Sequence, residues 1–214
     1  MSTKTRRPAV VGSGPLGRAV AESLLRRGLP VRLISRNPRV PDRDGLEQVA
    51  ADATDVQALT RALSGATTVY HCANAPYHRW TEDLPAIWGG ILAATSAVGA
   101  RLVVGTNLYA YGRPGASGAG DSALIAGAPF NPYSTKGEVR ARLESEALAA
   151  HERGDLPVAL VRASDFYGPG VRDSVLGDRF LGAIAAGKPA TMYGSWDAPH
   201  SYAYLPDFAE TMVA

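Results

Sequence analysis

The strongest constraint on this chain sits near its start, where Gly12-Ser13-Gly14-Pro15-Leu16-Gly17 follows a short apolar run and precedes an amphipathic stretch. Three glycines spaced G-x-G-x-x-G between a strand and a helix leave few ways to fold. Gly12 permits the tight turn, Gly14 lets the backbone approach a ligand pyrophosphate, and Gly17 lets helix and strand pack closely. The amides that open the helix just after Pro15, from Leu16 onward, then face the phosphates, and the helix dipole favours negative charge there. The loop therefore predicts a bound dinucleotide.

The rest of the sequence continues that start. Apolar β-rich runs over residues 8–11, 31–34, 47–50, 67–72, 101–105 and 158–161 alternate with helical patterns over 16–27, 55–63, 84–98 and 131–151. Such alternation predicts an α/β fold, a doubly wound parallel sheet of the Rossmann type with helices on both faces. Gly28 closes the first helix. The glycine-rich stretch 112–127 reads as a surface loop able to act as a lid. Past Tyr167 the chain turns to loops rich in Gly, Pro and Asp around one helix over 178–186. The reading is thus an NAD(P)-binding domain over 1–167 and a partial substrate-binding region over 168–214.

With 22 basic and 20 acidic residues, the chain carries no basic footprint for nucleic acid. It has no apolar run near the length of a membrane span and no signal-peptide core, so the cytoplasm is the expected compartment. Its single cysteine, Cys72, excludes an intramolecular disulfide or a multi-cysteine metal site. His71 and His78 lie near it without metal-ligand spacing or a carboxylate partner, so no metal is expected.

The second strand ends in Ile34-Ser35-Arg36. An acid there would bond the adenosine ribose and repel a 2′-phosphate, whereas a hydroxyl and a guanidinium suit that phosphate. NADP is the expected cofactor, with NAD as the alternative if Arg36 is merely solvated beside Arg39 and Arg43.

Several further segments occur in a telling order. They are Ala51-Asp52-Ala53-Thr54-Asp55, Val69-Tyr70-His71-Cys72-Ala73-Asn74, Asn107-Leu108-Tyr109-Ala110-Tyr111-Gly112, Tyr133-Ser134-Thr135-Lys136-Gly137 and Arg162-Ala163-Ser164-Asp165-Phe166-Tyr167-Gly168-Pro169. With the glycine loop they resemble the extended short-chain dehydrogenase/reductase superfamily, in its atypical epimerase/dehydratase-like branch. The resemblance implies that Asp52 and Ala53 border the adenine, and that Cys72, Ala73 and Asn74 line the diphosphate and ribose. It implies that Lys136 holds the nicotinamide ribose and favours a tyrosinate, and that Ala163, Ser164 and Phe166 contact the nicotinamide end.

The catalytic pattern departs from that family twice. The acid/base tyrosine normally stands four residues before the lysine, where this chain has Pro132; Tyr133 is three before Lys136. On the predicted helix over 131–151 the two share a face, with Tyr133 turned by roughly 100° from the usual direction, and Tyr133 is the expected proton donor. The hydroxyl residue that usually bonds the substrate oxygen is replaced by Asn107, with Thr106 before it; an amide can still donate. Tyr77, Tyr109, Tyr111 and Tyr167 are expected to edge the same cleft. Arg79 and Trp80 are placed to meet an acidic or ring-bearing substrate.

The resemblance also implies homodimerisation through the helices over 84–98 and 131–151. Family members usually run on past the segment His200–Asp207, so an open pocket or a fragment is expected. These readings predict an NADP-preferring oxidoreductase or epimerase-like enzyme acting on a hydroxyl or carbonyl of a small metabolite. The competing reading is a catalytically silent NADP-binding module with a redox-sensing or regulatory task.

Overall fold

The fold was analysed on a computed structural model that describes residues 7–112, 127–192, 197 and 199–214. The 112–127 loop reading falls almost wholly outside the described residues. The strands β1 (Arg7–Val11), β2 (Val31–Ser35), β3 (Leu46–Ala50), β4 (Ala66–His71), β5 (Arg101–Asn107) and β6 (Val158–Ala163) form one sheet in the order β3-β2-β1-β4-β5-β6. Every pairing in it is parallel. The helices α1 (Pro15–Arg26), α2 (Val56–Ala62), α3 (Trp80–Ala97) and α4 (Thr135–Glu152) connect the strands. This is the doubly wound sheet expected from the sequence, and its order reverses between β1 and β4.

Period-two alternation divides the core. On β1, Ala9 and Val11 pack into a cluster with Leu59, Leu84, Trp88, Ile91 and Leu143, under α2, α3 and α4. Val10, between them, faces the opposite way, into Val20, Leu24, Phe208 and Met212. A parallel sheet covered on both faces requires such apolar residues in both registers.

Beyond β6 the chain forms β7 (Asp165–Tyr167), a π-helical turn Asp178–Gly182, α5 (Ala183–Ala185), β8 (Tyr202–Tyr204) and α6 (Leu205–Val213). β7 and β8 pair in parallel as a separate two-stranded sheet. α6 packs against α1 in the same core, and Glu210 pairs with Arg26 and, at 2.8 Å, Arg27. The β7–β8 pairing crosses the expected 167/168 division, and α6 belongs by packing to the main sheet.

One boundary matters for the site. α4 starts at Thr135, not at 131, with Ser134 as its N-cap accepting the Gly137 amide at 3.2 Å. Pro132 disfavours helical backbone at Asn131, and Ser134 offers a cap just after it. The assumption that Tyr133 and Lys136 share a helix is therefore corrected: Tyr133 precedes the cap.

Candidate active site

The C-terminal ends of β1 and β4 meet at the reversal point of the sheet, where ligands bind in such folds. Gly12 has φ +110°, and a Cβ there would lie 2.6 Å from the Ala73 amide nitrogen. A Cβ on Gly17 would come within 1.8 Å of the Gly12 carbonyl oxygen. At Gly14 the added carbon would meet nothing within 4 Å. The loop is closed toward the protein and open above Gly14. No side chain caps α1, and Pro15 has no amide hydrogen, so Leu16 and Gly17 supply the first-turn donors. This cradle fits a pyrophosphate. A cleft of about 640 Å³ borders Ser13, Gly14 and Pro15 and runs along α1 toward Arg26, with Arg172 and Pro206 on its far wall. Only its end reaches the cradle.

Around the expected adenosine, Arg36 is exposed just past β2. The Ser35 hydroxyl oxygen is buried without a hydrogen-bond partner, leaving the guanidinium as the group presented to a ligand. The Asp52 carboxylate accepts the Thr54 amide and hydroxyl at 2.9 and 2.8 Å. Those two bonds, and then the charge of Arg36, hold it below the usual carboxylate range. Ala53 packs closely on α3, where a Cβ on Gly90 would come within 2.0 Å of its carbonyl oxygen.

β4 carries His71 into the core, and Cys72, Ala73 and Asn74 follow it, with Ala73 against Gly12 of the loop. His71 is 2% exposed, lies edge-on to Trp88 with centroids 4.9 Å apart, and neither ring nitrogen has a partner. Burial, aided by the charge of Arg140, lowers its pKa to about 3. Burial pushes the Cys72 thiol up. Among the described residues no cluster of three metal-type ligands occurs.

A second part of the site, at the C-terminal end of β5 and the start of α4, is built from side chains. Asn107 ends β5, and its carboxamide oxygen accepts the Tyr109 amide at 3.1 Å, which leaves the nitrogen end to donate. Thr106 points elsewhere: it is buried and donates to Glu144 at 2.6 Å. Glu144, fully buried, also receives Arg162 at 2.8 Å. Arg140 reaches Thr106 and Asn74 at 3.5 and 3.3 Å, and its guanidinium lies 4.3 Å from the Trp80 ring centroid. Arg79, the expected substrate contact, forks onto Asp83 with two 2.6 Å bonds. Trp80 is buried, with its indole nitrogen donating to the Ala75 carbonyl.

The structure brings Tyr77, Tyr109 and Lys136 together. The two phenol oxygens are 3.1 Å apart, and the Lys136 ammonium lies 3.9 Å from the Tyr77 ring centroid. Burial, then the bond to Tyr77, pushes the Tyr109 pKa up, and Asp165 and Tyr133 add to the shift. Tyr133 is 66% exposed. On β6 and β7, Ala163 is buried while Phe166 packs on Phe208, and Asp165 holds His200 at 2.9 Å. Ser164 links the two strands. Sequence reasoning placed Glu144 and Arg140 only within a mixed-charge helix. Lys136, Arg140 and Glu144 follow one another at intervals of four on one face of α4, and that spacing was the available signal.

Residues 10–214 match the NAD dependent epimerase/dehydratase family. The chain belongs to that family. A relative in Sinorhizobium fredii (strain NBRC 101917 / NGR234), the uncharacterized protein y4nG, is 27% identical over 95% of this chain and 51% of its own length. The chain thus spans about half the length of that relative. Among solved structures, MoeE5 in complex with UDP-glucuronic acid and NAD is 23% identical, with TM-score 0.78 over 97% of this chain and 71% of its own. UDP-N-acetylglucosamine 4-epimerase from Methanobrevibacter ruminantium M1, in complex with UDP-N-acetylmuramic acid, is 19% identical, with TM-score 0.80 over 99% and 73%. These likenesses show the shared Rossmann fold. No helix among the described residues is long and apolar enough to cross a membrane.

Proposed function

We propose that this epimerase/dehydratase-family chain binds NADP in preference to NAD and catalyses hydride transfer at a hydroxyl-bearing or carbonyl carbon of a small metabolite. The observation that carries the reading is the glycine cradle, sealed by Ala73 and Gly12 on one side and open at Gly14 on the other. The nicotinamide, when bound, supplies the hydride chemistry. The chain's own residues do the rest. The α1 amides hold the diphosphate, Cys72 to Asn74 line its path, and Asp52 and Ala53 border the adenine. Lys136 bonds the ribose beside the nicotinamide, against Ala163, Ser164 and Phe166. Asn107 polarises the substrate oxygen through its amide nitrogen.

The NADP preference rests on Arg36, exposed at the end of β2 where a 2′-phosphate would lie, and on the absence of an acid at Ser35. NAD accompanies MoeE5 in its structure, which makes the preference the sharper part of the proposal. Titrating NADPH and NADH by their fluorescence tests it. Wild type should bind NADPH about tenfold or more tightly, consistent with one charge-assisted contact. Arg36→Ala should remove that difference while sparing NADH; equal affinities in wild type refute the preference.

A further inference from the structure

We infer that Tyr109, hydrogen-bonded to Tyr77, delivers the proton to the substrate oxygen, in the place that the family pattern gives to the tyrosine before Lys136. The inference rests on the cofactor reading above and assigns the acid of that same site. Tyr109 is fixed to the end of β5, since its amide donates to Asn107, the residue expected to polarise the same oxygen. Trp80 packs on both phenol rings, with centroids 5.0 Å from Tyr77 and 5.8 Å from Tyr109. Trp80 is itself held from behind by Ala75 and Arg140. Tyr109 is thus walled in and still 38% exposed, whereas Tyr133, 66% exposed, precedes the N-cap of α4.

The charges around the pair define what it can do. Lys136 lies over the Tyr77 ring, Asp165 faces Tyr109 from β7, and Tyr133 faces it from the approach to α4. A phenol kept neutral by burial and by the Asp165 carboxylate is a poor base, but it remains an acid toward a much more basic alkoxide. The pair therefore suits carbonyl reduction. In that direction the carbonyl carbon receives a hydride from a reduced nicotinamide dinucleotide, and the carbonyl π pair becomes a new O–H bond as Tyr109 gives up its proton. Tyr77 reprotonates Tyr109, and solvent water reprotonates Tyr77, which is 54% exposed. The sum is carbonyl, reduced dinucleotide and one proton giving alcohol and oxidised dinucleotide. Lys136 eases the transient negative charge on Tyr77.

The test labels tyrosine at Cζ with ¹³C and assigns the resonances with Tyr77→Phe, Tyr109→Phe and Tyr133→Phe. Saturating NADP⁺ should move the Tyr109 resonance more than that of Tyr133, and Tyr77→Phe should displace it without cofactor. An unmoved Tyr109 resonance under saturating NADP⁺ overturns the assignment whether or not a substrate is known. With NADPH and 4-nitrobenzaldehyde as the probe, Tyr109→Phe should lower kcat by about 100-fold or more while NADPH affinity stays within about twofold. Tyr77→Phe should cost about tenfold. A larger loss in Tyr133→Phe than in Tyr109→Phe also overturns it. Failure to bind either NADP⁺ or NADPH is a different result, since it refutes the cofactor reading and not the choice of tyrosine.

Discussion

The two parts of the candidate site are made differently. At the glycine loop the backbone makes the site: three positions where a side chain is absent leave room for two close approaches and one opening. At the β5 and α4 end, side chains make it. Glu144 gathers Thr106 and Arg162, and Arg140 braces Asn74 and Trp80. The first part should fail when volume is added anywhere along its closed side, whatever the chemistry added. The second should fail when charge is changed at constant shape.

The largest expected effect lies at the side-chain end. Glu144→Gln keeps the shape and removes the charge that two buried or half-buried guanidiniums face. Breaking one partner from a buried pair costs about 3–5 kcal/mol, read as a drop in ΔG of urea unfolding. A loss below about 1 kcal/mol would mean that the arginines, and not Glu144, organise this end.

Next is the closed side of the loop. Gly17→Ala places a methyl 1.8 Å from the Gly12 carbonyl oxygen, a backbone atom that cannot rotate away. Overpacking of this kind costs about 1–3 kcal/mol, and NADPH affinity should fall with it because the cradle must open. Unchanged thermal midpoint and affinity would show that the turn is looser than its geometry.

How much of this was legible follows the same division. The loop could be read directly because each of its three tasks demands one residue type at one backbone position, and its neighbours in sequence are its neighbours in space. The parallel sheet with helices on both faces followed from alternation; the order of its strands did not. The Tyr77–Tyr109 contact spans 32 residues and exists only because β4 and β5 lie side by side. Glu144 reads as a solvated helix charge until β6 brings Arg162 beneath it. Tyr133 was misplaced for a local reason: Pro132 and Ser134 postpone α4, and a periodicity reading carried the helix through them.

His71 lies between the two parts and contributes a pH dependence. Its folded pKa of about 3 is below the ordinary 6.5, so the unfolded chain binds the proton first as pH falls. The stability is complete above about pH 6.5 and is lost progressively toward pH 3. The slope reaches about 1.4 kcal/mol per pH unit, or roughly 2 kcal/mol between pH 6.5 and 5. His71→Phe keeps a ring against Trp88 and strands no partner, since neither nitrogen has one. Its unfolding free energy should lose that part of the acid slope; a slope equal to wild type would assign the acid sensitivity to other groups.

The smallest effect on folding belongs to Gly14→Ala, and it separates the two jobs of the loop most cleanly. Gly14 has φ −68° and ψ −177°, backbone that alanine adopts freely, and its added methyl meets no protein atom within 4 Å. Removing a glycine from the unfolded ensemble should even raise stability by about 0.4–1 kcal/mol. The methyl would occupy the opening where a pyrophosphate comes against the α1 amides, so NADPH affinity should fall by about tenfold or more. Stability held with affinity lost is the result expected of a position left open for a ligand. Affinity held as well would mean that the diphosphate passes elsewhere, and that the cleft along α1 toward Arg26 and Arg172 has the better claim to it.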